Sequence, residues 1–155
     1  MLTIKISQWK GKRNDHPIID FAARFFTREL LGPHMASRLD YHIRLRSNWT
    51  EYGCVFLDHG KGRQREFEIR IKLDEISIML FNLAHEIVHI EQRVRNKIVT
   101  QRRDTGEEVW FNGEEFFINF GDSEISQPWE LDACKRGDKL IDSLIEHIDE
   151  WPEIT

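Results

Sequence analysis

An α+β fold follows from two kinds of periodicity and their order along the 155-residue chain. Apolar residues recur at helical spacing in three separate stretches, and between those stretches the period drops to two, the spacing of half-buried strands. The order is helix, hairpin strands, helix, hairpin, helix. Strands and helices are grouped, without the regular alternation that builds a doubly wound parallel sheet.

The elements can be justified in order. Leu2, Ile4 and Ile6 alternate as a short strand. Asp15 is placed to cap a helix with Pro17 in its first turn, where proline is tolerated. Ile18, Phe21, Ala22, Phe25, Phe26 and Leu30 supply its apolar face, and Gly32-Pro33 stops it. Tyr41, Ile43 and Leu45 then alternate with His42 and Arg44 as a half-buried strand. Residues 52–57 form a more buried strand, Gly60-Lys61-Gly62 is turn chemistry, and Phe67, Ile69, Ile71 and Leu73 alternate with Glu68, Arg70 and Lys72. The last two of these strands predict a hairpin. Asp74 is the expected cap of the second helix, whose residues Ile76, Leu80, Leu83, Ile87, Ile90 and Val94 make one apolar face. Two turn signals, Asp104-Thr105-Gly106 and Asn112-Gly113, frame Val109–Phe111 and Phe116–Phe120, a second hairpin closed by Asn-Gly. Ser126 is the expected cap of a last helix with Pro128 in its first turn and Leu131, Ala133, Leu140, Ile141, Leu144, Ile145 and Ile148 as its apolar residues.

Composition narrows the classes. Hydrophobic residues make up 40% and charged residues 32%, and ten Phe and five Trp supply large apolar anchors, so the chain reads as one ordered domain, 1–155. The longest uncharged, mainly apolar run, Ile76–Ala84, spans nine residues, against about 20 for a membrane span. No secretory signal is visible at Met1-Leu2-Thr3, and two cysteines, Cys54 and Cys134, make no disulfide framework. A cytoplasmic protein with reduced thiols is expected. The net charge of −5 argues against strong non-specific binding to nucleic acid, which needs a basic face. The basic runs Lys10–Arg13 and Gln101–Arg103 are expected to be solvated loops, and a DNA-associated role would have to draw on them.

The chemistry concentrates in the second long helix, at His85-Glu86-Ile87-Val88-His89. Two histidines four apart lie one turn above each other and can hold one divalent ion, while Glu86 points about 100° away, within reach of a metal-bound water. This is the HExxH pattern, in which zinc acidifies a water and the glutamate takes its proton. Neither histidine belongs to the apolar face formed by Leu83, Ile87 and Ile90. A catalytic zinc needs three protein ligands plus water. Gln92 and Arg95 stand where the metzincin pattern would have Gly and His, so the third ligand lies downstream. The best candidate is Glu130, in a first helical turn where the dipole favours a carboxylate. Asp132 and Cys134 are weaker alternatives: Asp132 points to a different face, and Cys134 is expected as a buried structural thiol. Ala133 and Gly137 are small enough to let this helix approach the motif helix. Trp110 and Trp129 are expected in the core or a pocket wall, and His16, His34, His42, His59 and His147 have no ligand spacing among themselves.

The pair His85-Glu86-x-x-His89 and Glu130-x-x-Ala133 resembles the gluzincin type of zinc metallopeptidase. Within it the chain is most similar to the minimal, single-domain SprT-like or phage-type metallopeptidases, and Glu-x-x-Ala with Gly137 and Leu140-Ile141 also resembles the ImmA/IrrE branch. The resemblance covers roughly residues 66–145. The gap of 41 residues from His89 to Glu130 is longer than in familiar gluzincins, and the third histidine and Cys-rich ribbon of SprT proteins are missing. The resemblance implies a zincin-like fold: a small antiparallel or mixed sheet on the HExxH helix, an inserted hairpin and a C-terminal helix. It also implies zinc on His85, His89 and Glu130, with Glu86 as general base. The substrate would be a protein or peptide lying antiparallel to one strand among 39–73. Tyr41, Tyr52, His147 and several arginines remain open as the hydrogen-bond donor for the transition state. The alternative, from another class, is a zincin-fold module that binds zinc or a protein partner without turnover. Glu86 argues against it, because a structural site needs no base.

Overall fold

The computed structural model describes residues 1–9, 16–57, 65–121 and 126–152, with the backbone alone at 54–57. The expected cap Asp15, the basic run Lys10–Arg13, the turn Gly60-Lys61-Gly62, His59 and the Cys54 side chain lie outside the described residues.

The chain forms an α+β arrangement of three helices and two small sheets among the described residues. Strands β1 (Thr3–Trp9), β2 (Asp40–Arg46), β3 (Gly53–Leu57) and β4 (Glu66–Lys72) make a mixed sheet in the order β1-β2-β4-β3. β1, β2 and β4 are parallel, and β3 runs antiparallel to β4 at the edge, as the predicted hairpin. One face of this sheet carries Tyr41, Ile43, Leu45, Phe67, Ile69 and Ile71, all buried. Helices α1 (His16–Ala36) and α2 (Ile76–Val94) pack on that face to form the main core.

In α1 the residues Ile18, Ile19, Ala22, Ala23, Phe26 and Thr27 are buried, a stripe two columns wide. Phe21 and Phe25 flank it, half-buried. Gly32 breaks the helix as expected, at φ 74°, a backbone setting that other residues rarely adopt. One further turn follows from Pro33. The cap of α2 is Glu75 and not Asp74, whose carboxylate instead accepts from the Glu75 N–H at 2.7 Å, just outside the helix.

The second sheet has the order β5-β6-β7, all antiparallel: β5 (Ile98–Arg102), β6 (Gly106–Phe111) and β7 (Glu114–Asn119). The expected hairpin is β6–β7, closed by Asn112 and Gly113 at φ 51° and 82°, the two left-handed positions of a tight hairpin turn. β5 extends it to three strands. Only Ile98 of β5 is buried, so the strand lacks the alternation that marks a half-buried strand.

Helix α3 (Pro128–Glu146) starts from Gln127 as cap, one residue after the expected Ser126, with Pro128 first in the helix. Trp129, Ala133, Gly137, Leu140 and Leu144 are its buried face. Leu131, Ile145 and Ile148, expected on the apolar side, are more than half exposed. α3 crosses α2 at the motif. A β-carbon on Gly137 would stand 3.4 Å from the His85 amide nitrogen and 3.5 Å from its Cα, so the helices meet there almost backbone to backbone. No helix among the described residues is long and apolar enough to cross a membrane.

Candidate metal centre

The three residues singled out as ligands meet at one point. His85 Nε2 lies 3.0 Å from Glu130 Oε2, and His89 Nε2 lies 3.1 Å from Glu130 Oε1 and 3.0 Å from His85 Nε2. Among the described residues these three form the group of donors able to hold a metal ion. Their side chains keep 15–20% of their surface exposed, enough for an ion and a water to reach them. A tetrahedral ion with bonds of about 2.0–2.1 Å separates neighbouring donors by roughly 3.3 Å, so the residues present fit zinc after shifts of a few tenths of an ångström.

One sheet and two helices create this point. α2 supplies the histidines on the side away from its apolar face. α3 supplies Glu130, and the second sheet fixes where α3 begins. The Trp129 ring packs edge-on against Phe111 and Phe116, with centroids 6.2 and 5.7 Å apart. The expected role of Trp129 as pocket wall holds, and the long insertion before Glu130 thereby sets the position of Glu130.

Gln92 is the residue the motif reading missed. It is fully buried, and its side-chain N–H groups donate to the Trp129 carbonyl at 3.0 Å and to Asp132 Oδ2 at 2.8 Å. Its oxygen therefore faces His89 Nδ1, at 2.9 Å, and accepts the Nδ1–H. That bond leaves His89 Nε2 with its lone pair toward the metal position, the usual role of a residue standing behind a ligand histidine. In the sequence Gln92 registers only as a departure from the metzincin pattern. Its partners are 37 and 40 residues away, which no local pattern encodes.

Asp132 is engaged with Gln92 and with Arg136 at 3.1 Å, and so stands apart from the three donors. Cys134 is exposed, not buried as expected. Its sulfur lies 3.6 Å from His85 Nδ1, the ring nitrogen that does not face the other ligands. Partial desolvation of its sulfur and the charges of Glu130 and Asp138 push this thiol above its ordinary pKa.

Glu86 is buried in the wall of the cleft that holds the three donors. It packs against the start of β3, where a β-carbon on Gly53 would come within 2.9 Å of Glu86 Oε1. Burial raises its pKa to about 7, against the pull of His89 and His85 and with help from the charges of Glu130 and Glu51. Glu130 moves the other way. Burial alone would raise it, but the imidazoles of His85 and His89, within hydrogen-bond distance of its oxygens, bring it down to about 2. His89 is raised: burial opposes its charge, but Glu130, Glu86 and Gln92 together outweigh that. The site thus holds one carboxylate kept ionised and one poised near neutrality, the separation expected of a ligand and a proton acceptor.

Ile98, Thr100, Glu107, Val109 and Ile118 of the second sheet line the cleft, as does Arg93 of α2. Of the candidate transition-state donors, Tyr41 is buried, bonded to Thr27 in the core. Tyr52 lies beside Lys72, and His147 packs on Phe25. Arg93, one turn beyond His89, is the arginine among the described residues that lines the cleft. No family model matches the chain, and neither a curated protein nor a solved structure matches it.

Proposed function

We propose that this protein is a zinc-dependent metallopeptidase that hydrolyses peptide bonds in a protein or peptide substrate. The observation that carries the reading is the convergence of His85 Nε2, His89 Nε2 and the Glu130 carboxylate beside a buried Glu86 in one cleft. In this reading the three donors hold the ion, and Gln92 fixes the tautomer of His89. Bound zinc would supply the Lewis acidity that polarises a scissile carbonyl and acidifies a water. Glu86, buried in the cleft wall beside the three donors, would serve as the general base toward that water and would return the proton to the leaving amine. Arg93 is placed to meet negative charge in the cleft.

The fold is read here as zincin-like, supported by a mixed sheet whose antiparallel edge strand begins beside the motif helix. A substrate would pair along the edge of β3 that no described strand occupies, which starts at Gly53 in the cleft wall. The protein is read as cytoplasmic.

The test is cleavage of an unfolded protein substrate by zinc-loaded protein and by Glu86→Gln. The variant should keep its zinc and lose roughly 100- to 10,000-fold in rate. Equal cleavage by the variant would refute the role of Glu86. Stoichiometric zinc with no cleavage by the native protein would make this a binding module.

A further inference from the structure

The face of the mixed sheet that is turned away from the helices carries an unexpected charge. The parallel strands are in register, so their outward residues form rows across the sheet: Lys5 with His42 and Glu68, Ser7 with Arg44 and Arg70, and Trp9 with Arg46 and Lys72. Five cations, Lys5, Arg44, Arg46, Arg70 and Lys72, thus share three rows with one described carboxylate, Glu68. Arg44 and Arg70 already pair with that carboxylate, at 3.0 and 2.7 Å. Asp40 and Glu66 stand together at the far end, in the row of Thr3. His42 reports the local field: burial lowers its pKa first, and the charges of Arg44 and Lys5 lower it further against the opposing Glu68.

Aromatic rings are interleaved with these cations. Arg46 lies 4.9 Å from the Trp49 ring and 5.8 Å from the Trp9 ring, Arg70 lies 5.0 Å from Trp49, and Lys72 lies 5.1 Å from Tyr52. Trp9 is 50% and Tyr52 54% exposed. In a protein of net charge −5, this segregation gives one face the sign and the rings of a surface for single-stranded nucleic acid.

We propose that the outward face of the β1-β2-β4 sheet binds single-stranded nucleic acid, with Arg44, Arg46, Arg70 and Lys72 on phosphates and Trp9 and Tyr52 as platforms for unstacked bases. Cations two residues apart on one strand stand roughly 6.7 Å apart, a step that suits the phosphates of an extended strand. A duplex hides its base faces and offers nothing to the rings. An anionic membrane would draw on the same charges, but the most enclosed ring, Trp49, has two guanidiniums within 5.0 Å of its centroid and is poorly placed to insert. The proposal is independent of the metallopeptidase reading, because this face shares no residue with the metal centre.

The experiment is fluorescence anisotropy of a labelled oligothymidylate of about 15 nucleotides with the full chain. Four phosphate contacts predict a log–log salt slope of about −2.8, or roughly 50-fold weaker binding between about 50 and 200 mM salt. Tryptophan emission should be quenched on binding. Arg46→Gln with Arg70→Gln should weaken binding at least tenfold, and Lys5→Gln with Lys72→Gln, which spares the Glu68 pairs, should weaken it severalfold. Glu86→Gln should bind as the native protein does. Absence of binding at low salt, undiminished binding by both double variants, equal affinity for duplex of the same length, or tighter binding to vesicles of anionic lipid would each overturn the proposal.

Discussion

Helix α2 buries two carboxylates five residues apart and treats them in opposite ways. Glu91, 1% exposed, meets Arg136 at 2.8 Å, Lys97 at 2.7 Å and Arg95 at 3.0 Å. Arg136 belongs to α3, so this cluster ties the two helices together. Glu86, 6% exposed, has its pKa lifted to about 7 by the same kind of burial, with the two imidazoles too weak a pull to offset it and no Lys or Arg paired to it among the described residues. A buried carboxylate surrounded by cations is scaffolding, because its ion pairs hold together the elements that carry them. One buried without cations costs stability when ionised, and that cost is consistent with a group kept for moving a proton. Side by side in the sequence, both are simply glutamates in a helix.

Four variants break or sharpen this contrast. The largest effect on stability belongs to Glu91→Gln, which leaves Arg136, Lys97 and Arg95 facing a neutral amide. All three cations keep part of their exposure, two of them more than a third, so the expected loss is about 3 kcal/mol, at the low end for a broken buried pair. Urea denaturation would measure it, and a loss under about 1 kcal/mol would remove the scaffolding role. Glu86→Gln should act in the opposite direction in metal-free protein. The folded pKa lies above the ordinary carboxyl value, so native Glu86 supports stability at low pH, and that support is lost as pH rises through about 7. The variant should therefore be more stable than the native chain at pH 8 and indistinguishable from it near pH 4. A variant less stable at both pH values would contradict the contrast.

Gln92→Leu removes the acceptor behind His89 while keeping the volume, and should weaken zinc binding about 10- to 100-fold in a competition titration. Unchanged affinity would show that the His89 tautomer needs no support. The smallest effect is expected for Gly137→Ala. Its methyl would sit 3.4 Å from the His85 backbone, and the gain in helix propensity should offset that crowding to within about 0.5 kcal/mol.

Features with a local cause were legible in the sequence. The two histidines declare themselves by a spacing of four and by their absence from the apolar face, and Glu130 by its place in a first turn after Pro128. The β6–β7 hairpin is announced by Asn112-Gly113. What stayed hidden depends on distant partners or on the absence of a pattern. Gln92 takes its meaning from Trp129 and Asp132, and Glu91 from Arg136, 45 residues away. β5 has one buried residue and therefore no alternation to read. The cap assignments at Asp74 and Ser126 each fell one residue early, because in both places the chain caps with an extended residue whose side chain makes no cap bond. The basic face was missed because its cations sit at alternate positions of separate strands, and never as a run.

The central claim is that His85, His89 and Glu130 form a single zinc site, and metal analysis of purified protein tests it most directly. One zinc per chain is predicted for the native protein, for Glu86→Gln and for Cys134→Ala, with loss of the ion in His85→Ala, His89→Ala and Glu130→Ala. A native protein without stoichiometric zinc, or zinc retained when any of those three residues is replaced, would contradict the account.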